Sequence, residues 1–286
     1  MIDENELIDN HFSKEEKVEV KRKQISFSEI QLWRTCQHKY YLNKTLKIKE
    51  PKNDALAFGS ALHETIEDIL NKNVSRMLFK KIFQEKFKKE IEGVETKLDP
   101  ISESIIAEKI FNHLNFYKNF AEYDIFSVEE EILVPIDKDE NGETIYYIGY
   151  VDLILKHKTN GTYLIIDWKT ALKKWNIAKK KEDKFFFGQL ALYKHFISLK
   201  HNIPFEKIDT KFVTLIKNDV DYVEQFKIEI SDSFLKFVLD TIYESIKQIS
   251  ISKQTNVYQK TKNLKGIECK ECKYCYFKDK PEYCSE

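Results

Sequence analysis

Apolar residues recur every three to four positions through most of the first 125 residues, the spacing that gives a helix one buried face. Ser26-Phe27-Ser28-Glu29-Ile30 sets hydroxyl residues ahead of Ile30, Leu32 and Trp33, so a serine-capped helix is expected to open there, followed by Tyr40, Tyr41 and Leu42. A second helix is expected after Gly59, through Leu62, Ile66, Ile69 and Leu70. The pattern continues over 76–92 and 102–122, with Ile105, Ile106, Ile110, Leu114 and Tyr117 expected on one stripe. Near Phe126 the texture changes. Glu131–Ile136 and Tyr146–Leu155 read as strands joined through the Asn-Gly turn of Asp139–Glu143, which predicts a hairpin. Tyr163–Trp168 is mostly apolar, as a central strand would be. After a lysine-rich segment come a helix at about 186–200, strands at Lys211–Ile216 and Tyr222–Ile230, and a last amphipathic helix bearing Leu235, Val238, Ile242 and Ile246. This order predicts an α/β or α+β chain with one core sheet. The expected parts are a mobile charged tail (1–24), a helical part (25–125), a sheet-bearing core (126–250) and a cysteine-rich terminus (251–286).

Composition narrows the class. With 286 residues, 42% hydrophobic, and only seven Gly and five Pro, the chain is long enough to bury a real core, and disordered or collagen-like classes are excluded. Lys+Arg and Asp+Glu both number 47, so an indiscriminate polyanion binder is not expected. No stretch reaches the ~18 apolar residues of a membrane span, and acids stud the first twenty residues, so a cytoplasmic location without membrane contact is expected.

Candidate chemistry gathers on the sheet. Asp167 and Lys169 are two apart on one strand and project to one face, while Trp168 faces away. Gln189 and Tyr193 are four apart on a helix and share a face. An antiparallel neighbour would bring Asp152 beside Asp167. Paired carboxylates suit a hard divalent cation, which can polarise a phosphodiester and acidify water, and a nearby lysine can steady developing negative charge. Ordinary strand-end residues with a salt bridge are the plain alternative at this level.

The ordered series Gly59-Ser-Ala-Leu-His63-Glu64, Gly149-Tyr-Val-Asp152, Ile166-Asp167-Trp168-Lys169-Thr170 and Gln189-x-x-x-Tyr193 resembles the PD-(D/E)XK nuclease superfamily, specifically its RecB-like exonuclease branch. The resemblance runs from about Ser26 to Cys284. It implies a restriction-endonuclease-like mixed β-sheet flanked by helices. It further implies Mg²⁺ or Mn²⁺ held by His63, Asp152, Asp167 and the Trp168 carbonyl, with Lys169 as catalytic lysine. Gln189 and Tyr193 match the motif that orients that lysine and contacts DNA. Val151 stands where many relatives carry proline. Glu64 and Glu67 are candidate supports for the His63 ring.

The cluster Cys269, Cys272, Cys275 and Cys284, with Cys36 far from it in sequence, reads as a soft-metal site rather than a disulfide framework. Resemblance to AddB-type helicase-nuclease subunits and CRISPR-adaptation nucleases implies a structural [4Fe–4S] cluster on Cys36, Cys272, Cys275 and Cys284. Zinc and a trio using Cys269 stay open. Lysines between Lys169 and Lys184 could neutralise phosphates, with Trp175 and Phe185 available to stack on bases.

The expected function is metal-dependent hydrolysis of DNA ends or single strands, leaving a 5′-phosphate as the resemblance implies. A CRISPR-adaptation-like processor in a complex, or a non-catalytic binding module in a recombination complex, are the rivals. No P-loop is present, so a helicase, integrase or recombination protein would be a partner chain.

Overall fold

The computed structural model describes residues 22–71, 75–139, 141–181, 183–218, 220–265 and 270–284. The tail expected over 1–24 thus lies almost wholly outside the described residues, as does Cys269. The main elements are β1 (Lys23–Ser26), α1 (Phe27–Thr35), α2 (Asp54–Leu70), α3 (Phe79–Glu90), α4 (Pro100–Leu114), β2 (Tyr123–Lys138), β3 (Thr144–His157), β4 (Tyr163–Ala171), α5 (Gly188–His201), β5 (Ile208–Ile216), β6 (Val223–Lys227) and α6 (Asp232–Thr255). Side-chain caps explain several helix starts: Ser26 accepts from the Glu29 N–H, Asn53 from Leu56, Asp99 from Ser102 and Ser231 from Phe234. Among the described residues, no helix is long and apolar enough to cross a membrane.

The six strands form one mixed sheet in the order β1-β3-β4-β5-β6, with β2 also paired to β3. β2 and β3 make the expected hairpin, and β4 and β5 run parallel at the centre. β2 begins at Tyr123 and is much longer than the segment its alternation suggests, because Glu129-Glu130-Glu131 hides the pattern. The sheet separates two apolar layers. On one face Phe27, Ile30 and Trp33 of α1 pack with Leu190, Tyr193 and Ile197 of α5 and Val238, Ile242 and Ile246 of α6. On the other, Phe58, Leu62 and Ile66 of α2, Phe83 and Phe87 of α3, and Ile110 and Leu114 of α4 cover Leu153, Leu164, Ile166 and Trp168.

Three expectations change. α2 starts at Asp54, ahead of Gly59, because Asn53 caps it there. The helix over 102–122 breaks at Asn115, which takes a left-handed conformation (φ 44°) and starts a short turn, Phe116–Asn119. The buried stripe of α4 is therefore Ala107, Ile110, Phe111 and Leu114, while Ile105 and Tyr117 are 44% and 57% exposed. β1 lacked a sequence signal because it is only four residues long. It pairs in parallel with β3 through Lys23–Ile145 to Ser26–Ile148.

That short strand shapes the molecule. β2 occupies one edge of β3 along its length, so β1, at Ile145–Ile148, and β4, at Leu153–Lys156, share the other. Between them, Gly149 to Asp152 face a notch in the sheet where β4 leaves β3 and continues beside β5 alone.

Candidate active site

The notch opens into a cleft of about 310 Å³ lined by His63, Gly149, Asp152, Asp167, Lys169, Gln189 and Tyr193, with Ser26, Ser28 and Tyr147 beside them. Six elements supply these residues, which explains why no single sequence motif described the site.

Divergence of β4 would leave the Trp168 N–H without a strand partner on the β3 side. Asp152 fills that role, its Oδ2 accepting the N–H at 2.6 Å. The same bond fixes the carboxylate against β4. Asp167, 2% exposed, lies 2.7 Å through its Oδ2 from the Lys169 ammonium. Lys169 also donates to Gln189 Oε1 at 2.8 Å, and Gln189 Nε2 donates to the Tyr193 hydroxyl at 2.8 Å. Trp168 turns its ring into the opposite apolar layer, so its main chain is what lines the cleft. The structure thus brings Asp152, Asp167, Lys169, Gln189 and Tyr193 together.

His63 reaches the cleft from α2. An added Cβ on Gly59 would fall 2.6 Å from Thr170 Oγ1, so glycine lets α2 approach the end of β4 closely. His63 follows one helical turn later. Its Nε2 is sealed from solvent and has no hydrogen-bond partner, while burial and the Lys169 charge push the imidazole down to about 4, which leaves it neutral.

Burial raises both carboxylates above the ordinary range, and the Asp167 charge adds to the rise at Asp152; Lys169 opposes it in both. A bound cation would relieve that penalty, and a neutral imidazole with an unsatisfied nitrogen is a fitting third donor. Among the described residues, no three His, Cys, Asp or Glu side chains already form a metal cage. A hard cation of the magnesium class keeps several waters and takes one or two carboxylates plus substrate phosphate, so the donor set fits it.

Glu64 and Glu67 take other roles than support of the His63 ring. Glu64 pairs with Lys86 at 3.2 Å. Glu67 shares a hydrogen bond with Glu129, and burial together with the Glu129 and Glu64 charges raises it to about 8. Glu129 was missed in the sequence. It adopts φ 53° between residues registered with Val151 and Leu153, which sets it across β3 from Asp152. Its only signal was the acidic run inside a strand.

The lysine-rich segment also departs from expectation. Phe185 is 2% exposed and stacks on Phe27 at 4.9 Å, and Trp175 packs on Phe186, Phe212 and Phe226. Both rings are core anchors rather than stacking platforms: Phe185 sits in the short helix Lys184–Phe187, and Trp175 packs inward just ahead of the short helix Ile177–Lys181.

At the other end of α1, the C-terminal tail returns to the N-terminal helices. His38 Nε2 meets the Tyr283 carbonyl oxygen at 2.6 Å, Thr261 donates to the Thr35 carbonyl at 2.6 Å, and Gln259 bonds both Gln37 and His38. Cys36 and Cys275 are near enough to interact electrostatically, and burial raises the Cys275 thiol. Cys36, Cys272, Cys275 and Cys284 form no disulfide.

The PD-(D/E)XK nuclease superfamily pattern matches residues 24–279. No curated protein matches the sequence. Among solved structures, a protein of Eubacterium rectale provisionally named an exonuclease is similar with a TM-score of 0.55 and 15% identity, over 93% of this chain and 91% of that one. The protein SSO0001 is more distant, with a TM-score of 0.37 and 13% identity over 85% and 83% of the two chains. The first likeness shows the shared fold.

The close approach at Gly59 gives a test. Gly59→Ala should push α2 off β4, displace His63 and lower activity at least about tenfold, since small misplacements at a site have large kinetic effects. Thr170→Ala in the same chain removes the clashing oxygen and should restore most of the loss, measured as kcat/KM beside the single variants.

Proposed function

The chain belongs to the PD-(D/E)XK nuclease superfamily, and from that premise we propose that it is a divalent-metal-dependent deoxyribonuclease acting on DNA ends or single strands. The observation that carries this reading is the convergence of Asp152, Asp167 and Lys169 in one cleft, with Gln189 bound to the lysine. A lysine held only for stability would have no use for a cleft open to substrate.

His63, Asp152, Asp167 and the Trp168 carbonyl would hold Mg²⁺ or Mn²⁺. When bound, such a cation polarises the phosphodiester and makes water a better nucleophile at neutral pH. The remaining work falls to the chain. Asp167 and Gln189 keep the Lys169 ammonium at the cleft floor, where it can steady the attacking water and the charge that grows on the phosphoryl oxygens. The Lys169 ammonium, which can only donate, takes the Gln189 oxygen, and the Gln189 nitrogen then donates to the Tyr193 hydroxyl. Asp152 holds its orientation through the Trp168 N–H. The fold shared with the protein provisionally named an exonuclease supports action from ends. No helix-turn-helix or finger array was found in the sequence, so recognition is expected to be independent of base sequence.

We further propose that Cys36, Cys272, Cys275 and Cys284 hold a structural [4Fe–4S] cluster, zinc being the other metal four thiolates would take. The return of the tail to Cys36 supports it. Its role would be to close the C-terminus over the base of α1.

Asp167→Asn and Lys169→Ala should each reduce cleavage of end-labelled DNA by at least about 100-fold with the fold retained by circular dichroism, the scale of losing a transition-state contact; activity within threefold of wild type in either would overturn the assignment. Protein purified without oxygen should carry iron and visible charge-transfer absorbance, both lost in Cys36→Ala. Stoichiometric zinc without colour would contradict the cluster.

A further inference from the structure

Resting on the nuclease reading, we propose that the N-terminus of α1 and the Tyr147 hydroxyl seat a second phosphate of the DNA strand, next to the one that is cut. Ser26, Phe27 and Ser28 line the same cleft as Asp152 and Lys169, so the first turn of α1 opens onto the substrate path. N–H groups at the start of a helix have no helical acceptor and carry partial positive charge, which favours an anion. Ser28 is exposed at this end, and its hydroxyl lies 3.0 Å from that of Ser26, which already caps the Glu29 N–H. The acid in this turn does not oppose an anion. Glu29 is engaged by Lys44 at 3.0 Å and by the Tyr40 hydroxyl at 3.0 Å.

An independent observation points to a ligand. Tyr147 is 0% exposed, yet its hydroxyl has no hydrogen-bond partner, although it lines the same cleft. An unsatisfied buried hydroxyl is destabilising and uncommon in a native fold. The ring is held by stacking on Phe196 at 5.2 Å, and the hydroxyl lies within electrostatic reach of Asp167, which puts it at the edge of the reacting centre. Space for the hydroxyl is kept by Gly149, where an added Cβ would fall 3.1 Å from it. A phosphate oxygen in the cleft would satisfy it.

The two donor groups are rigidly placed relative to the reacting centre. Ser26 is in register with Ile148 on the strand that carries Tyr147, Gly149 and Asp152. Phe27 packs so tightly on Gly188 that an added Cβ there would fall 3.0 Å from its ring, and Gly188 precedes Gln189. A phosphate bound at α1 would therefore set the register of the strand against Lys169.

Tyr147→Phe and Ser28→Glu separate this seat from the chemistry. Binding of a fluorescent single-stranded oligodeoxynucleotide is read by anisotropy in chelator, where no hydrolysis intervenes, and cleavage is read separately with Mg²⁺. Each variant should weaken binding and raise KM about five- to tenfold with kcat within twofold, the effect of one hydrogen bond to a charged group. A neutral methylphosphonate at one linkage should weaken wild-type binding similarly but leave Tyr147→Phe nearly unaffected. The thermal midpoint of Tyr147→Phe should equal or exceed that of wild type. Unchanged binding and KM in both variants would overturn the seat, as would a lowered midpoint in Tyr147→Phe with unchanged binding. A wild-type protein that binds DNA with these dependences but does not cut it would instead contradict the nuclease reading and leave the seat standing.

Discussion

Two carboxylates, Asp152 and Asp167, recessed beside each other at a break in the sheet set the terms for the rest of the molecule. Removing a charge from water carries a penalty of several kcal/mol, and a like charge nearby adds to it. Lys169 repays part, at 2.7 Å from Asp167, and the Trp168 N–H repays part at Asp152. The remainder is a penalty that a bound cation would relieve, as the proposed function requires. A fold that needed only stability would replace such a pair with apolar side chains of similar volume.

The architecture serves that pair. β3 is shared along one edge by β1 and β4, and the gap between them exposes Gly149 to Asp152 to the cleft. Each neighbouring helix reaches the gap where a glycine removes a Cβ: Gly59 brings α2 and His63 against β4, and Gly188 lets Phe27 of α1 close over the start of α5. The two apolar layers keep these elements from relaxing apart, with Trp168 anchoring β4 in one and Tyr193 anchoring α5 in the other. Chemistry and packing thus alternate along single strands and helices, which is why adjacent residues such as Asp167 and Trp168 have opposite surroundings.

Much of this was legible in the sequence because it follows short periods. The two-residue spacing of Asp167 and Lys169 and the four-residue spacing of Gln189 and Tyr193 gave their shared faces, and the Asn-Gly turn gave the β2–β3 hairpin. What stayed hidden depends on contacts between distant segments. Four residues are too few to announce β1, so Ser26 and Ser28 read only as helix caps and not as walls of the cleft. Tyr147 looked like one more aromatic in a strand; only its packing shows that the ring is satisfied and the hydroxyl is not. Trp175 and Phe185 stayed hidden for the converse reason, since a lysine-rich surround suggests solvent while both rings pack on other aromatic rings of the core.

The central claim is that the recessed pair exists to hold a cation, and calorimetric titration with Mn²⁺ in the absence of DNA tests it most directly. Wild-type protein should take up the ion at a site that is lost or weakened at least about tenfold in Asp152→Asn, as expected when a carboxylate ligand becomes neutral. No uptake by a folded wild-type protein, or equal uptake by wild type and variant, would contradict the account.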